Sequence, residues 1–354
     1  MTTQGKIFVA MWSLGLVFLY VVSWYSGMQV IRGSAAESTK SQAASQAMPA
    51  PKPPSGVESV DVLVGVNINR GGDFDLKQST WRADFDLWFL WSADMVMPGE
   101  NFQLVNGEIL QQNIRESYAE GAKHYLEYNI VANMKMDFDP TRFPFGEVCL
   151  QIPVKDTTRG AVRVRYVADE QHSGIVPGAH PRAAAVRSFA VTAGSSEDTA
   201  RPGFGGTPGA KPEGRSLITA SAWIVPQGLG IYRRMFQALF ASVAVALIAL
   251  YIKPTHVDCR FGLPVGGFFA SVGNNIYVGS LLPYGNAPTL TDAINFVSLL
   301  TIFLILVQSV MSLYIYDTLG REQQSILFDR VSLVIFLVGY LALNVSLPMA
   351  AFSR

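Results

Sequence analysis

The chain has 354 residues, of which 49% are hydrophobic and only 15% are charged, and its 27 basic residues balance 27 acidic residues. Soluble globular proteins carry about 25% charged residues, so part of this chain must be almost free of charge. Without a basic excess or a lysine and arginine cluster, it lacks the positive surface that nucleic-acid binding requires. The apolar content also argues against a disordered or fibrous chain, which leaves a large soluble protein or a membrane protein with a soluble part.

The missing charge is concentrated in five uncharged runs, each long enough for a helix that crosses the roughly 30 Å hydrocarbon layer of a membrane. The runs are residues 7–31, 235–252, 261–290, 293–316 and 331–353. Most of the charge lies between the first two runs, in residues 34–228. The sequence therefore predicts five membrane-spanning helices and one large domain outside the lipid.

The first run has two interpretations. Lys6 precedes it and small residues follow it at 33–36, as in a secretory signal that is cleaved after export. However, its apolar segment exceeds the about 7 to 15 residues of a signal, and aromatic residues end it as in interfacial anchors. We expect an uncleaved transmembrane anchor over residues 1–32 and a flexible linker rich in alanine, serine and proline over residues 33–56 that holds this helix away from the rest.

Residues 57–228 show the alternation of apolar and polar side chains that is typical of half-buried β-strands. The alternating segments are residues 60–68, 85–91, 125–136, 148–154, 161–167, 186–193 and 217–225. Turn signals at Arg70-Gly71-Gly72 and Asn106-Gly107 separate them, and no long amphipathic helix intervenes. About eight short strands predict an exported, mildly acidic, immunoglobulin-like β-sandwich. Residues 194–214, rich in glycine and proline, form a long insertion that is either a mobile lid or plain disorder.

Basic residues predict the orientation of the helices. Lys6, the turn 253–260, Arg321 and Arg330 share one side if every run spans the membrane, and the turn 283–292 on the other side has no lysine or arginine. Because basic residues favour the cytoplasmic side, we expect the N-terminus, if uncleaved, in the cytoplasm and the β-rich domain outside. Cys149 and Cys259 then lie on opposite sides and cannot form a disulfide.

Five segments occur in the order and at the spacing of motifs from one known family. They are Phe-Asp-Leu-Trp-Phe-Leu-Trp at 85–91, Phe-Gln-Leu-Val-Asn-Gly at 102–107, Lys-Met-Asp-Phe-Asp-Pro-Thr-Arg-Phe-Pro-Phe at 135–145, Asn-Asn-Ile-Tyr through Leu-Leu-Pro at 274–283, and Asp-Arg-Val-Ser at 329–332. With a β-sandwich followed by four spanning helices, they resemble the pentameric ligand-gated ion channels, the Cys-loop receptor superfamily. The resemblance covers residues 57–353 and leaves out the first helix and the linker. It implies a homopentamer with a four-helix pore domain at 229–354, whose helices lie near 231–252, 261–282, 292–316 and 330–350.

The chain departs from this family at several positions. Eukaryotic members close the signature loop with a disulfide, but Met136 and Leu150 occupy those two positions here, and Cys149 is expected to be a buried thiol. Bacterial relatives also lack the bridge, so the resemblance implies a bacterial-type member in the inner membrane with its large domain in the periplasm. Gly146 replaces the family's aspartate, which in relatives contacts the membrane-proximal coupling region.

The resemblance assigns one face of helix 261–282 to the pore axis. Residues separated by three or four positions share a helix face, and from Gly262 this selects Gly262, Gly266, Phe269, Gly273, Ile276 or Tyr277, and Ser280. Five copies would surround a wide lumen narrowed by a ring of Phe269, a candidate hydrophobic gate, and again at Ile276 or Tyr277. The alternative is that these glycines allow close packing between helices.

The predicted cytoplasmic mouth carries Asp258 and Arg260. Asp258 matches the acidic ring of cation-selective relatives, whereas Arg260 opposes it, so the sequence favours cations only weakly. The alternative is a solvated turn with a local ion pair.

Ligand residues follow from the resemblance alone, since the family binds agonists at subunit interfaces beneath a flexible loop that corresponds to residues 194–214. Trp88, Phe102 and Phe204 are the candidate aromatic walls for a cationic or amphipathic ligand. A core position is the alternative for Trp88, and Trp91 is assigned to the core.

Enzymatic motifs are missing from the sequence. Asp169, Glu170, His172 and His180 lie close together, but their spacing is not a recognised metal-ligand pattern, and there is no nucleophile elbow or phosphate-binding loop. We therefore expect no catalytic residue, metal or cofactor.

The sequence thus predicts a homopentameric channel gated by a ligand or by protons. Its expected partners are identical subunits, permeating ions, an unknown small ligand or protons, and the lipid bilayer. The alternative is a nonconducting pentameric scaffold or sensor in which the first helix recruits a membrane partner.

Overall fold

The β-strands and the helices of the chain belong to two different units. A computed structural model describes residues 3–46, 59–92, 97–158, 163–179, 184–197, 214–283 and 288–352. One unit, the β unit, comprises residues 39–138 and 147–226, and the other, the helical unit, comprises residues 1–38, 139–146 and 227–354.

The β unit contains ten strands in the part of the chain that the structure describes. They are β1 (Ser59–Asp75), β2 (Thr80–Trp91), β3 (Phe102–Leu104), β4 (Gly107–Glu120), β5 (Lys123–Lys135), β6 (Val148–Asp156), β7 (Arg163–Ala168), β8 (Gly174–Ile175), β9 (Ala184–Glu197) and β10 (Gly214–Pro226). One sheet has the order β4-β5-β2-β1-β7 with β8 paired to β1, and the other has the order β3-β6-β10-β9. All pairs are antiparallel except those that join β7 and β8 to β1.

The two sheets pack face to face around one apolar core. Every second residue of β2, including Phe85, Leu87 and Phe89, is completely buried, as are Ile152 of β6 and Ile218 of β10 from the other sheet. Complete burial of such a side chain contributes about 1.5 to 3 kcal/mol to folding. The β-sandwich that alternation predicted is confirmed at this level.

Two turns differ from the sequence prediction. Gly71 and Gly72 lie inside β1, where the pairing with β2 shifts register, and the turn follows at residues 76–79. Residues 194–197, predicted as part of a loop, pair with residues 214–217 instead. The rest of that loop lies outside the described residues. In both places the ladder of backbone hydrogen bonds continues through residue types, such as glycine, that are typical of turns.

The helical unit contains α1 (Thr3–Gln46) as far as residue 38, α2 (Gly228–Ile248), α3 (Val257–Leu281), α4 (Leu290–Asp317) and α5 (Glu322–Phe352). Among the described residues, four helical segments are long and apolar enough to cross a membrane: Lys6–Gly33, Gly228–Tyr251, Leu290–Asp317 and Glu322–Phe352. Helix α3 was predicted as a fifth span, but glycine, serine and asparagine residues make it less apolar than these four.

Helix α1 packs within the helical unit and is longer than predicted. The Tyr20 hydroxyl is 2.9 Å from the Thr301 hydroxyl of α4, and the Tyr20 ring lies against Gly339 of α5, where a Cβ would come within 2.6 Å of it. The helix continues to Gln46, so the first part of the predicted linker is helical and does not hold α1 away from the bundle. Alanine, glutamine, glutamate and lysine in that stretch are good helix formers, which explains the difference.

Candidate functional site

Helix α3 has two opposite faces of different character. The buried face is one stripe at helical spacing, formed by Arg260, Pro264, Gly267, Ser271, Asn274 and Val278. The predicted pore residues Gly262, Gly266, Phe269, Gly273, Ile276, Tyr277 and Ser280 are all exposed on the other side. Phe269 and Ile276 protrude furthest, with 70% and 69% of their surface exposed, against 49% for Tyr277.

The glycines of α3 fall into two groups according to what surrounds them. At Gly267 a Cβ would lie only 2.8 Å from the Ser242 carbonyl oxygen, so the absence of a side chain lets α2 and α3 approach each other. At Gly262, Gly266 and Gly273 a Cβ would meet no described atom of the chain within 4 Å. Close packing within one chain therefore explains Gly267 and does not explain the glycines of the exposed face.

The exposed surfaces of the other long helices differ in composition from that of α3. Large apolar side chains dominate on α4 and α5, for example Phe296, Phe303, Val310, Leu337, Leu341 and Val345. The middle of the exposed surface of α2 is instead small or polar, with Arg233, Arg234, Gln237, Ala238, Ala241 and Ala244, whereas Leu229, Val245 and Ile248 toward its two ends are large and apolar. The middle part of α2 and the glycines of α3 offer little apolar side-chain surface to hydrocarbon.

Arg260 does not lie at the mouth where the sequence placed it. Its side chain is fully buried, and Nη2 donates to both carboxylate oxygens of Asp329 at 2.7 and 2.8 Å. Nη1 donates to the Ile252 carbonyl at 2.8 Å. Two residues along a helix point about 200° apart, so Arg260 faces the bundle interior while Asp258 is exposed. Asp258 and Gly262 share one face because they are four residues apart.

A polar network surrounds this buried pair. Ser312 donates to Asp329 at 2.6 Å, Gln308 donates to it at 3.3 Å, and the hydroxyls of Ser312 and Ser325 are 2.8 Å apart. Sequence reasoning missed the network because serine and glutamine in an apolar run give no sign of their partners. Its members satisfy the Asp329 carboxylate, so the pair is structural and leaves the positive charge of Arg260 compensated.

The three candidate ligand residues do not form one site among the described residues. Trp88 is half-buried on the sheet face opposite the core, where its ring covers Gly65 and its indole Nε1 donates to Asp169 at 3.2 Å. Phe102 lies on the core side, 5.4 Å from the Phe89 ring. Phe204 is outside the described residues. Trp88 lies on the outer face of its sheet, whereas Phe102 lies between the two sheets. The two residues therefore cannot line one aromatic pocket of a single chain.

The predicted acidic and histidine group is partly described. The Nδ1 atom of His172 lies 2.8 Å from the Asp169 carboxylate, which also accepts the backbone N–H of His172 at 3.3 Å. Glu170 is exposed, and His180 lies outside the described residues. No group of three or more possible metal ligands occurs in the part of the chain that the structure describes. Asp169 instead organises a turn and holds the Trp88 indole.

Residues 139–146, which include the second part of the signature-like loop, belong to the helical unit. The Phe145 ring lies 5.7 Å from the Tyr232 ring, and a Cβ at Gly228 would come within 2.6 Å of Phe145. Asp139 accepts from the Thr141 N–H and hydroxyl at 2.9 and 2.6 Å and so fixes the start of the loop. At Gly146 a Cβ would lie 3.5 Å from the nearest side chain, which is an ordinary van der Waals contact, so a Cβ fits at this position.

The positions of the family disulfide are filled by apolar packing. Met136 and Leu150 are buried with 5% and 4% of their surface exposed. Cys149 is a free, buried cysteine, and burial raises the pKa of its thiol to about 11.

Sequence comparison matches the chain to no known protein family and to no curated protein. The resemblance to pentameric channels therefore stays a hypothesis that rests on the motifs and on the geometry of α3.

Proposed function

We propose that this protein is a homopentameric ion channel whose pore is lined by the exposed face of α3. The observation that carries the proposal is the pair of opposite faces on that helix. One face is anchored in the subunit by Gly267, Asn274 and the buried Arg260. The other exposes glycines that nothing in the described subunit covers.

A closed ring of five copies would place this face of α3 in contact with water. Glycines give an exposed helix face little apolar side-chain surface to bury in lipid, whereas a face that lines a water-filled pore needs none. Helix α3 is less apolar than α2, α4 and α5, which fits a position at the pore axis. A helix that packs against its own subunit on one side and faces water on the other needs no surface that contacts hydrocarbon. The small residues on α2 then provide the flank against which a neighbouring copy packs.

Phe269 is the proposed gate. It protrudes from the α3 face between two positions without side chains, Gly266 and Gly273. A ring of five such phenylalanines narrows the lumen, and an apolar constriction can close a pore by excluding water. Ile276 forms the second narrowing, because it is more exposed than Tyr277.

Asp258 is the proposed selectivity residue at the inner end. It is exposed and shares the pore-lining face with Gly262. The Asp329 carboxylate compensates the only other charge near it on α3, that of Arg260. A ring of five aspartates concentrates cations, and we therefore propose cation selectivity.

The β-sandwich is the proposed sensor domain, with an immunoglobulin-like fold that takes a small ligand or responds to protons. We place it outside the cytoplasm on the distribution of basic residues, and we assign the helices to a bacterial inner membrane because the chain lacks the loop disulfide, as bacterial relatives in the resembled family do. The contacts of Tyr20 with Thr301 and Gly339 support an uncleaved α1 that adds a fifth helix to the four of the resemblance.

A nonconducting pentameric scaffold or sensor is the second candidate. The seating of α1 against α4 and α5 favours it, because this extra helix covers a surface that would otherwise meet lipid and presents a new surface to membrane partners. Both candidates require the same pentamer and differ in whether the pore conducts.

Ion flux in liposomes tests the proposal with a matched pair of substitutions. Phe269 and Phe296 have similar exposed fractions, 70% and 61%, but Phe296 is on the exposed apolar surface of α4. We expect Phe269→Ala to increase basal cation flux by roughly tenfold or more because it removes the constriction, and Phe296→Ala to match the wild type. Mass measurement in detergent should give five copies for all three proteins. Pentamers that pass no ions under acid, voltage or with Phe269→Ala would establish the scaffold instead.

A further inference from the structure

Helix α1 runs parallel to α5 and contacts it at three levels. The contacts pair Trp12 with Phe328, Tyr20 with Gly339 and Gly27 with Leu347. Because both series of positions increase together, the two helices start at the same end of the helical unit. The resembled family has no counterpart of α1, so the role of this helix has to be inferred from its own contacts.

At that end, two aromatic side chains of α1 pack against one ring of α5. The centroid of the Phe328 ring lies 5.5 Å from that of Phe8 and 6.0 Å from that of Trp12. Phe328 is completely buried. The Trp12 indole N–H makes no hydrogen bond in the part of the chain that the structure describes. Apolar packing is therefore the interaction that joins α1 to this turn of α5.

The same turn of α5 carries the carboxylate that pairs with Arg260. Asp329 follows Phe328, and consecutive residues of a helix point about 100° apart. Phe328 therefore faces α1. Asp329 points into the bundle, where it accepts from Arg260 of α3 at 2.7 and 2.8 Å and from Ser312 of α4 at 2.6 Å. A movement that separates this turn from α1 also displaces the carboxylate.

Arg260 has a second place to go when that carboxylate moves. A buried guanidinium that loses its partner is strongly unfavourable, and a long arginine side chain can reach water from a position near a helix end. Arg260 is in the first turn of α3, and Asp258 is exposed in the same turn. A guanidinium that turns outward therefore comes to lie beside the Asp258 carboxylate.

We propose that α1 positions the Asp329 carboxylate through Phe328 and thereby keeps the Arg260 guanidinium away from Asp258. The inference rests on the proposed function, in which five copies of Asp258 attract cations and five outward arginines would oppose them. Helix α1 then contributes to ion selection without touching the pore, through one ring and one carboxylate of α5.

The chain offers matched variants of α1. In the contact variant, Phe8→Ala/Trp12→Ala, both rings that pack on Phe328 are removed. In the exposed-face variant, Leu14→Ala/Phe18→Ala, the two side chains that are removed are 70% and 66% exposed. The conservative variant Trp12→Phe keeps an aromatic ring and deletes an N–H that has no hydrogen-bond partner among the described residues.

Arginine labelling of the full-length protein in detergent tests the positioning without ion flux. Phenylglyoxal modifies guanidinium groups that water reaches, and mass spectrometry of the peptide that contains Arg260 measures the rate. We expect slow labelling of Arg260 in the wild type, the exposed-face variant and Trp12→Phe. The contact variant should label about tenfold faster, because the loss of packing makes local opening of the pair more frequent. Arg82 of the β unit, which is exposed, is the internal reference.

The reversal potential in a planar bilayer with a salt gradient gives the second readout. The contact variant should be less cation-selective than the wild type, whereas the exposed-face variant and Trp12→Phe should keep the wild-type value. Faster labelling of Arg260 in a protein that passes no ions would support the positioning and contradict only the channel.

Two labelling results would overturn the proposal. One is an unchanged Arg260 rate in the contact variant, and the other is an equal increase in the contact and exposed-face variants, which would indicate a general loosening of α1. If the contact variant does not fold, as judged by its unfolding transition, Trp12→Ala and Phe18→Ala are compared in its place, with the same expectations.

Discussion

The β unit and the helical unit differ in how many polar side chains they bury beside their apolar ones. Of the buried polar side chains among the described residues, three lie in the β unit and fifteen in the helical unit. The β unit has an apolar core and a largely polar exterior, whereas the helical unit combines buried serine, asparagine and aspartate with exposed phenylalanine, leucine and valine. Water drives apolar groups inward in the first unit. In lipid that drive is absent, and helices associate through small residues and hydrogen bonds.

Asp329→Ala tests the polar interior of the helical unit and has the largest expected effect. It leaves the fully buried Arg260 guanidinium without its carboxylate partner, which costs about 3 to 5 kcal/mol of stability for a buried ion pair. Thermal unfolding in detergent measures the loss. The double variant Arg260→Met/Asp329→Leu should recover most of it, and a double variant as unstable as the single one would show that the charges contribute more than mutual compensation.

A pair of glycine substitutions compares the two faces of α3. In Gly267→Ala the new Cβ meets the Ser242 carbonyl at 2.8 Å, and overpacking of this kind costs about 1 to 3 kcal/mol. In Gly266→Ala the Cβ meets no described atom within 4 Å, so helix propensity should leave stability unchanged or raise it by up to about 1 kcal/mol. Unfolding temperatures of the two variants give the comparison. Equal destabilisation by both substitutions would remove the distinction between the faces.

Tyr20→Phe tests the attachment of α1 and has a smaller expected effect. It deletes the hydroxyl that lies 2.9 Å from Thr301 and keeps the ring against Gly339. Hydrogen bonds between membrane helices contribute about 0.6 kcal/mol on average, so the unfolding temperature should fall slightly. Gly339→Val, which collides with the Tyr20 ring, should have a clearly larger effect, and the reverse order would argue against the packing of α1 on α5.

Alkylation distinguishes the buried cysteine of the β unit, Cys149, from the exposed cysteine of the helical unit, Cys259. Burial raises the pKa of the Cys149 thiol from 9.0 to about 11, so its reactive thiolate is scarce at pH 8, whereas Cys259 is exposed. Iodoacetamide should label the native protein once, and Cys259→Ser should abolish the labelling. With a raised pKa, the stability that the neutral thiol provides is complete below pH 9 and is lost as the pH rises through about 11. Rapid native labelling of Cys149 at pH 8 would contradict its burial.

The sequence predicted the elements whose pattern has a local cause. Alternation identified β1, β2 and β5, and uncharged runs located α4 closely and the cores of α2 and α5, whose charged first turns lie before the runs. It missed β4, because this edge strand is exposed on both sides and 11 of its residues follow no burial alternation. The helical extension of α1 to Gln46 was missed for a different reason, since serine and proline nearby suggested a linker.

The site was predictable only along one helix at a time. Helical periodicity selected residues that share one exposed face of α3, because that face depends on spacing alone, and their place at a pore stays a prediction. Arg260 was misplaced because its partner Asp329 is 69 residues away, and no local pattern connects them.

The central claim is that the exposed face of α3 lines a water-filled pore, and cysteine modification during flux tests it most directly. In a Cys259→Ser background, Gly273→Cys places a thiol on that face, and Phe303→Cys places one on the exposed apolar surface of α4. A water-soluble, charged thiol reagent should block most of the cation flux through Gly273→Cys and leave Phe303→Cys unaffected. Flux through Gly273→Cys that continues unchanged after complete modification, or a thiol there that the reagent cannot reach, would contradict the account.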